Sequence, residues 1–441
     1  VLAAAMLALA ARGEVARSSP GPAFSVVLVV LDDVAAADLA LYGGPVSTPN
    51  IEALAGAGVR FDDAYASPTC SPTRRMIQTG HWWATGNGEG CSDGIEPNTP
   101  LASEVFLPEA MPLHSSAIFG KWHLGVGPIT GQALCAAIED GYQFHLQGIR
   151  GNVQACNGTS YMSWDRVTGR VSPPTCAEVR SLVYEPRALR DSFISGFPSA
   201  PQPSLTVVCC NLAHSPFHVP PPDMLPIGYP PPTTQRQRFE AMIVAYDRML
   251  AAMLGLVDLQ TTVVIVVGDN GTPPQVAPDP GKAKATSFER GVRVPLVVCG
   301  GPVLQGVVSG ELVHAVDLWS TIIELGGYSL PTGLPFPTAS VSLVPILDGL
   351  AHAPPHDMVL CGAKWGEPEG DVGVVARSGA TAVGHQLKLR RLDDDGDKSF
   401  DREELYDLAL DPSELVNRIL DSSYLADAAS MRSWSDSAVL P

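Results

Sequence analysis

Ser25-Val-Val-Leu-Val-Val-Leu31, followed at once by Asp32-Asp33, is the stretch on which the fold turns. A run this rich in β-branched side chains, with no polar alternation, reads as a strand buried on both faces. The pattern recurs along the chain. Ser115 to Phe119 leads into Gly120-Lys121-Trp122-His123, Ser204 to Leu212 into Ala213-His214, and Thr262 to Val267 into Gly268-Asp269-Asn270-Gly271. Helical stretches lie between them at Asn50 to Gly58 and at Arg236 to Leu256. The alternation predicts an α/β fold with a large doubly wound, mainly parallel sheet flanked by helices.

After about residue 350 the pattern changes. Asp371 to Leu392 is strand-like, Asp393-Asp394-Asp395-Gly396-Asp397 is acidic, and Glu404-Leu405-Tyr406-Asp407-Leu408 and Asp411-Pro412 follow. The expected organisation is an α/β domain over 24–350 and a smaller C-terminal α+β domain over 351–441. Residues 1–23 stand apart. Val1 to Ala11 is an apolar Ala/Leu stretch, similar to the core of a secretory signal and too short to span a bilayer. A ragged N-terminal helix is the other reading. No other stretch reads as transmembrane, so the expected location is secreted, periplasmic or within the lysosomal and secretory pathway.

Composition narrows the function classes. With 45% hydrophobic and 17% charged residues the chain folds around a core and is not disordered. A formal net charge of −18 excludes general nucleic-acid binding, and an anionic substrate then requires a local cationic pocket. Setting Cys70 aside leaves Cys91, Cys135, Cys156, Cys176, Cys209, Cys210, Cys299 and Cys361, an even remainder that suits some disulfides. Cys209, Cys210 and Cys299 lie in apolar runs and also read as buried thiols. Asn157-Gly158-Thr159 is a glycosylation sequon.

In doubly wound sheets ligands bind beyond the carboxyl ends of the strands. Acids, a lysine, two histidines and an asparagine all emerge at such ends here. Asp32, Asp33, Asp269 and Asn270 offer four oxygen ligands that suit a hard cation, Ca²⁺ or Mg²⁺; capping or turn chemistry is the alternative for each pair. A further segment reads Cys70-Ser-Pro-Thr-Arg74-Arg-Met-Ile-Gln-Thr79-Gly80. Pro72 suits the first turn of a helix and Gly80 its end. Cys70 then sits just before a helix N-terminus, where free N–H groups favour an anion, with Arg74 pointing at the same spot. A Pro-started helix with a buried cysteine and a surface arginine is the plainer reading.

Cys70-x-Pro72-x-Arg74 with Thr79-Gly80 resembles the signature of the type I sulfatases, of the alkaline-phosphatase-like superfamily. The resemblance extends from about residue 24 to 418, in the family's order. It is carried by Leu31-Asp32-Asp33, Ser47-Thr48-Pro49-Asn50, Gly58-Val59-Arg60-Phe61, Gly120-Lys121-Trp122-His123-Leu124-Gly125, His214-Ser215-Pro216, Asp269-Asn270-Gly271 and Gly291-Val292-Arg293-Val294-Pro295. It implies that Cys70 is oxidised to Cα-formylglycine by a formylglycine-generating enzyme and that the hydrated aldehyde attacks a carbohydrate or aryl sulfate ester. It implies a divalent metal, usually calcium, between Asp32, Asp33, Asp269, Asn270 and the Cys70 position. Arg74 would help hold the gem-diol, Lys121 and Lys284 would neutralise sulfate oxygens, His214 would be the acid for the leaving oxygen, and His123 would deprotonate the second hydroxyl. Lys284 is preferred to Lys282 because it lies five residues before Glu289, as the family spacing requires.

The sequence departs from the family pattern in places. Met111-Pro112-Leu113-His114-Ser115 replaces the usual opening of the second signature, Arg290 replaces a glycine, and Gly268 stands before Asp269-Asn270. Asp393 to Glu404 resembles a calcium loop, with Lys398 where its glycine should be, and reads otherwise as an acidic hairpin turn. Trp82-Trp83 reads as core packing or as a sugar platform. Specificity is expected in the loops Trp82 to Asn98, Gly148 to Arg170 and Pro216 to Pro232. Two rival functions stand beside sulfate ester hydrolysis: a phosphate or phosphonate ester hydrolase of the same superfamily, and a non-catalytic sulfoglycan-binding protein with unmodified Cys70.

Overall fold

The computed structural model describes residues 23–82, 104–124, 135–153, 160–332, 334, 338–363, 370–395 and 399–439. The signal-like segment (all but residue 23), Trp83, Cys91, Cys156, the Asn157 sequon and most of the Trp82 to Asn98 loop lie outside the described residues.

The strands in chain order are β1 (Ser25–Leu31), β2 (Gly58–Phe61), β3 (Ala64–Tyr65), β4 (Ser115–Lys121), β5 (Phe144–Ile149), β6 (Trp164–Arg170), β7 (Thr175–Ser181), β8 (Ser204–Cys209), β9 (Thr262–Gly268), β10 (Leu296–Cys299), β11 (Val307–Ser309) and β12 (Val313–His314). All but β3 and β12 form one sheet in the order β11-β2-β10-β9-β1-β8-β4-β5-β6-β7. Its centre, β9-β1-β8-β4-β5, is parallel. The sheet as a whole is mixed: β10 runs antiparallel to β9 and β2, and β6 and β7 close the far side as an antiparallel ribbon. The apolar runs of the sequence are the parallel centre.

Every residue of β1 is buried because both faces are covered. Val26, Leu28 and Val30 pack with Trp319 and Ile322 of the helix Asp317–Leu325, while Val27, Val29 and Leu31 pack with Met242 and Tyr246 of the helix Gln235–Leu254. The period of two along a strand sorts alternate side chains into these two cores. Each such side chain contributes about 1.5–3 kcal/mol by its burial. Register then aligns the strand ends. Leu31 pairs with Gly268, Val29 with Val208, and Phe119 with Val208, so β1, β9, β8 and β4 open onto one edge.

The C-terminal part builds a separate antiparallel sheet, β13 (Met358–Ala363), β14 (Gly370–Ala376), β15 (Leu387–Asp393) and β16 (Arg402–Asp407), in that order. The stretch Asp371 to Leu392 is thus two strands, with a short 3₁₀ turn at Ser378–Ala380 between them. Ala428 and Met431 of the helix Leu425–Val439 pack on Leu360, Val374 and Leu389. Of the acidic run, Asp393 ends β15 and Asp394 and Asp395 follow it, while 396–398 lie outside the described residues. Glu404 does not close a calcium loop: it lies on β16 and is taken by Arg390 at 2.5 Å and by the Tyr406 hydroxyl at 3.0 Å.

Cys135 and Cys176 form a disulfide that ties β7 to the start of the short helix Ala136–Glu139, while Cys209, Cys210, Cys299 and Cys361 are buried thiols. Trp82 is half-buried and meets the His314 ring edge-on at 4.9 Å, which is packing and not an open platform. Among the described residues, no helix is long and apolar enough to cross a membrane.

Candidate active site

Strand ends and one helix start build the site. Asp32 and Asp33 follow β1 directly, and Asp33 takes a left-handed backbone, φ 65°. An aspartate tolerates that region better than most residues, at a cost of roughly 1–2 kcal/mol. It is held there in part by its own N–H, which donates to Asp269 Oδ1 at 3.2 Å. Cys70 is the first residue of the helix Cys70–Thr79, one step further in than the sequence reading placed it, with Thr69 extended before it. Gly80 ends that helix at φ 73°, where a Cβ would lie 2.7 Å from the Trp319 ring.

The Cys70 Sγ lies 3.5 Å from Asp32 Oδ1, 3.8 Å from Asp33 Oδ1 and 3.2 Å from Lys284 Nζ. Burial, reinforced by the charge of Asp269, pushes its thiol well up in spite of Lys121 and Lys284. That environment disfavours the thiolate, the nucleophilic form of a cysteine. One helical turn on, Arg74 forks onto Asp269 Oδ2 through Nε at 3.0 Å and Nη2 at 2.7 Å, and donates from Nη1 to the Lys121 carbonyl at 3.1 Å. Lys121, fully buried, reaches Asp32 at 2.8 Å, and Lys284 reaches Asp33 at 2.7 Å.

Acids packed this closely do not ionise alike. Burial opposes the charge of Asp32, but Lys121, His214, Arg74 and Lys284 together hold its carboxyl well below the usual range. Burial and the neighbouring Asp32 raise Asp269 to about 6 against Arg74 and Lys121. His214 places Nε2 3.8 Å from Asp33, while its Nδ1 lies 2.8 Å from the Ser215 carbonyl. That contact assigns the ring proton to Nδ1 in the neutral form and turns Nε2 toward the site. Burial lowers the His214 pKa, with Lys284 and Lys121 adding to it and the aspartates opposing. His123, buried with φ 61°, is fixed by its N–H to the Arg150 carbonyl at 2.8 Å.

Asn270 donates to Asp33 Oδ1 at 2.8 Å and to the Gly271 carbonyl at 3.0 Å, while its Oδ1 is buried without a hydrogen-bond partner. Asp32, Asp33, Cys70 and Asp269 present ligand atoms that all lie within 4.8 Å of one another. An unpartnered buried oxygen beside a carboxylate cluster is costly unless something satisfies it. The donor set fits a hard divalent cation.

Lys284 and Lys282 part company. Lys282 donates to the Ser413 and Glu414 carbonyls and leaves the site to Lys284. Gly291 permits the turn, since a Cβ there would meet the Thr286 carbonyl at 2.1 Å. Arg290 joins Arg236 on buried Asp38, at 3.2 and 2.9 Å.

Sequence reasoning missed the layer behind His214. The Tyr161 hydroxyl sits between the carbonyls of Asn211 and His214, 2.7 Å from the latter. Glu185, fully buried, accepts from Cys210 Sγ at 3.6 Å, and burial pushes its carboxyl up to about 8 from an ordinary 4.5. Only the Glu185-Pro186 helix start was available as a signal. Between those two values the unfolded chain ionises this carboxyl while the folded chain keeps the proton, so stability falls as pH rises through the window. The loss at its upper end is at most on the order of 5 kcal/mol. Glu185→Gln is expected to flatten the fall of melting temperature between pH 5 and 8; an unchanged slope in pH-dependent melts would sink the assignment.

Comparison with known proteins agrees with this geometry. The family model described as Sulfatase matches residues 25–328. N-acetylgalactosamine-6-sulfatase of Canis lupus familiaris is 28% identical over 361 residues, 74% of this chain and 66% of that protein. The Homo sapiens protein of that name is 29% identical over 351 residues, 72% and 64% of the two chains. Arylsulfatase A of Bos taurus is 29% identical over 404 residues, 82% and 74%. The chain thus spans about two thirds of the length of the N-acetylgalactosamine-6-sulfatases. Among solved structures, one described as a sulfatase of Bacteroides fragilis superposes with a TM-score of 0.74 at 16% identity, covering 96% of this chain and 97% of that one. A protein solved with its substrate D-glucosamine-2-N,6-O-disulfate gives 0.69 at 15% identity, covering 95% and 98%. These two share the fold. With the family model spanning well over half its length, this chain belongs to the type I sulfatase family.

Proposed function

We propose that the protein hydrolyses a sulfate monoester of a carbohydrate, with aryl sulfates as activated surrogates. The observation that carries the reading is the Cys70 side chain at a buried helix start, ringed by Asp32, Asp33 and Lys284. The named activities of the relatives, and the sulfated sugar bound by one structural neighbour, support the substrate class. When present, Cα-formylglycine at position 70 supplies a hydrated-aldehyde nucleophile and a Ca²⁺ or Mg²⁺ held by Asp32, Asp33, Asp269, Asn270 and that position supplies Lewis-acid polarisation.

The chain's own residues do the rest. Arg74 fixes the Asp269 carboxylate with a two-nitrogen fork and so holds that wall of the site rigid. Lys121 and Lys284 present point charges to the oxygens of a bound sulfate group. His214, its Nδ1 proton anchored on the Ser215 carbonyl, turns Nε2 to the site; as the imidazolium, which burial makes the more acidic, it gives the Nε2 proton to the departing alkoxide. His123 takes a proton in the return half of the cycle. The disulfide supports an oxidising compartment, secreted, periplasmic or lysosomal, where maturation by a formylglycine-generating enzyme belongs. With this goes a division into a catalytic unit over 24–350 and a C-terminal unit over 351–441.

The test is production in a host with the formylglycine-generating machinery. Mass spectrometry of the peptide spanning Cys70 is expected to show the aldehyde, and sulfate esters are expected to turn over faster than the matching phosphates. An unmodified thiol with no sulfate release would leave a binding protein. Faster phosphate release would move the chain to the phosphohydrolases.

A further inference from the structure

The segment 282–290 brings Lys284 into the site on a turn closed by Thr286, whose N–H and hydroxyl donate to the Ala283 carbonyl at 3.1 and 2.7 Å. Lysine carries its charge on a flexible four-carbon stem, so the placement of its backbone decides where the ammonium sits. Ala285, the next residue, has φ 73°, a region an alanine occupies only when its surroundings over-determine it. Two backbone bonds help, from Lys284 N–H to the Thr272 carbonyl at 2.8 Å and from Ala285 N–H to the Pro68 carbonyl at 2.9 Å. On both sides of that pair, the segment is gripped by the C-terminal unit, through the loop that follows β16 and through strands β14 and β15.

Before it, Lys282 Nζ donates to the Ser413 carbonyl at 2.9 Å and to the Glu414 carbonyl. After it, the Ser287 N–H and hydroxyl both bind the Asp371 carboxylate, at 2.8 and 2.5 Å, and the Glu289 N–H binds the Glu414 carboxylate at 2.8 Å. The sheet answers with buried cations. Lys388 reaches Glu289 at 2.6 Å and Glu414 at 3.2 Å. Arg390 binds Asp371 at 2.6 Å and lies 3.6 Å over the Phe288 ring. Charge-assisted bonds of this length are directional, and a desolvated charge deprived of its partner is strongly unfavourable. The segment therefore has one register against β14 and β15.

We infer that the C-terminal sheet is a positioning device for Lys284, with Asp371 and Ser287 as positioning residues that set how the anionic end of the substrate is held. The inference rests on the sulfatase reading of Lys284 and adds that the C-terminal unit serves the site by holding the Lys284 segment in place.

The test uses the full matured chain. Asp371→Asn and, separately, Ser287→Ala are assayed for kcat and KM on an aryl sulfate, each alone and combined with Lys284→Ala. Each single variant is expected to lower kcat/KM about tenfold to a hundredfold, as a displaced binding group does. In the Lys284→Ala background the same change is expected to add less than about twofold, because the two substitutions remove one function. Losses that multiply in that background overturn the inference. Ser287→Ala keeps the test open if Asp371→Asn fails to fold, since it leaves the Arg390–Asp371 pair in place. A second measurement needs no turnover: acylation of the Lys284 amine, followed by peptide mass spectrometry, is expected to change rate in both variants. An unchanged rate overturns the inference. An inactive wild type rejects the sulfatase reading, while the acylation result still decides the positioning.

Discussion

Replacing Cys70 by alanine is expected to lower turnover at least about 10⁴-fold, the scale of losing a nucleophile that acts as part of a unit. The fold should survive. The thiol makes only long contacts to Asp32, Asp33 and Lys284, and Pro72 in the first turn of the helix is untouched by the change. Losing one buried sulfur costs about 1 kcal/mol of transfer and void energy. Cys70→Ser should be equally inactive in a host that modifies only cysteine, although serine restores a hydroxyl in place. Parallel thermal melts and aryl sulfate assays check the pair. Activity within about tenfold of wild type in either variant would remove Cys70 from the chemistry.

Asp33→Asn should strip the site of its metal. The substitution keeps the shape of the side chain and deletes the charge, while Asp32 stays neutralised by Lys121 at 2.8 Å and Asp269 by Arg74 at 2.7 Å. Of the three acids, Asp33 has the most exposed counter-charge, because Lys284 is partly accessible. Its carboxylate therefore makes the largest uncompensated contribution to a cation. Wild type is expected to carry about one Ca²⁺ per chain. It should gain about 2.7 kcal/mol of stability at a hundredfold excess over Kd. The variant is expected to show neither by elemental analysis and calcium-dependent melting. Full occupancy in Asp33→Asn would refute the ligand role, and a Mg²⁺ shift exceeding the Ca²⁺ shift would reassign the ion.

The parallel centre of the sheet was legible because a strand buried on both faces has to be largely apolar, as Val26 to Leu31 is. The antiparallel parts were not. Trp164–Arg170 and Thr175–Ser181 mix charged and apolar residues on a half-covered ribbon, and Leu296–Cys299 is too short to stand out from a loop. The candidate cluster was legible where chemistry sits at strand ends or in a motif: Asp32, Asp33, Cys70, Arg74, Lys121, His214, Lys284, Asp269 and Asn270 lie together, while His123 is placed through its backbone bond to the Arg150 carbonyl. Choosing Lys284 over Lys282 took a family spacing, since two lysines two residues apart look alike until one is seen to turn toward Ser413. Tyr161, Glu185 and Asp371 were silent, because each acts through a partner distant in sequence. The hydroxyl of Tyr161 has meaning only once Asn211 and His214 are folded over it.

The ribbon at the far side of the sheet has a cost of its own. Thr175 to Arg180 is exposed along its length and ends the sheet, so its outer backbone groups invite another chain to add a strand. Two devices discourage this. Glu178 and Arg180 place charges along the rim, paired to Arg150 and Asp165 at 3.0 and 2.6 Å, and the bond from Cys176 to Cys135 pins the rim to the body of the protein. Reduction removes the pin and leaves the charges as the remaining guard. Aggregation of this chain is therefore expected to rise under reducing conditions, where the already exposed edge loses its tether to the body of the protein.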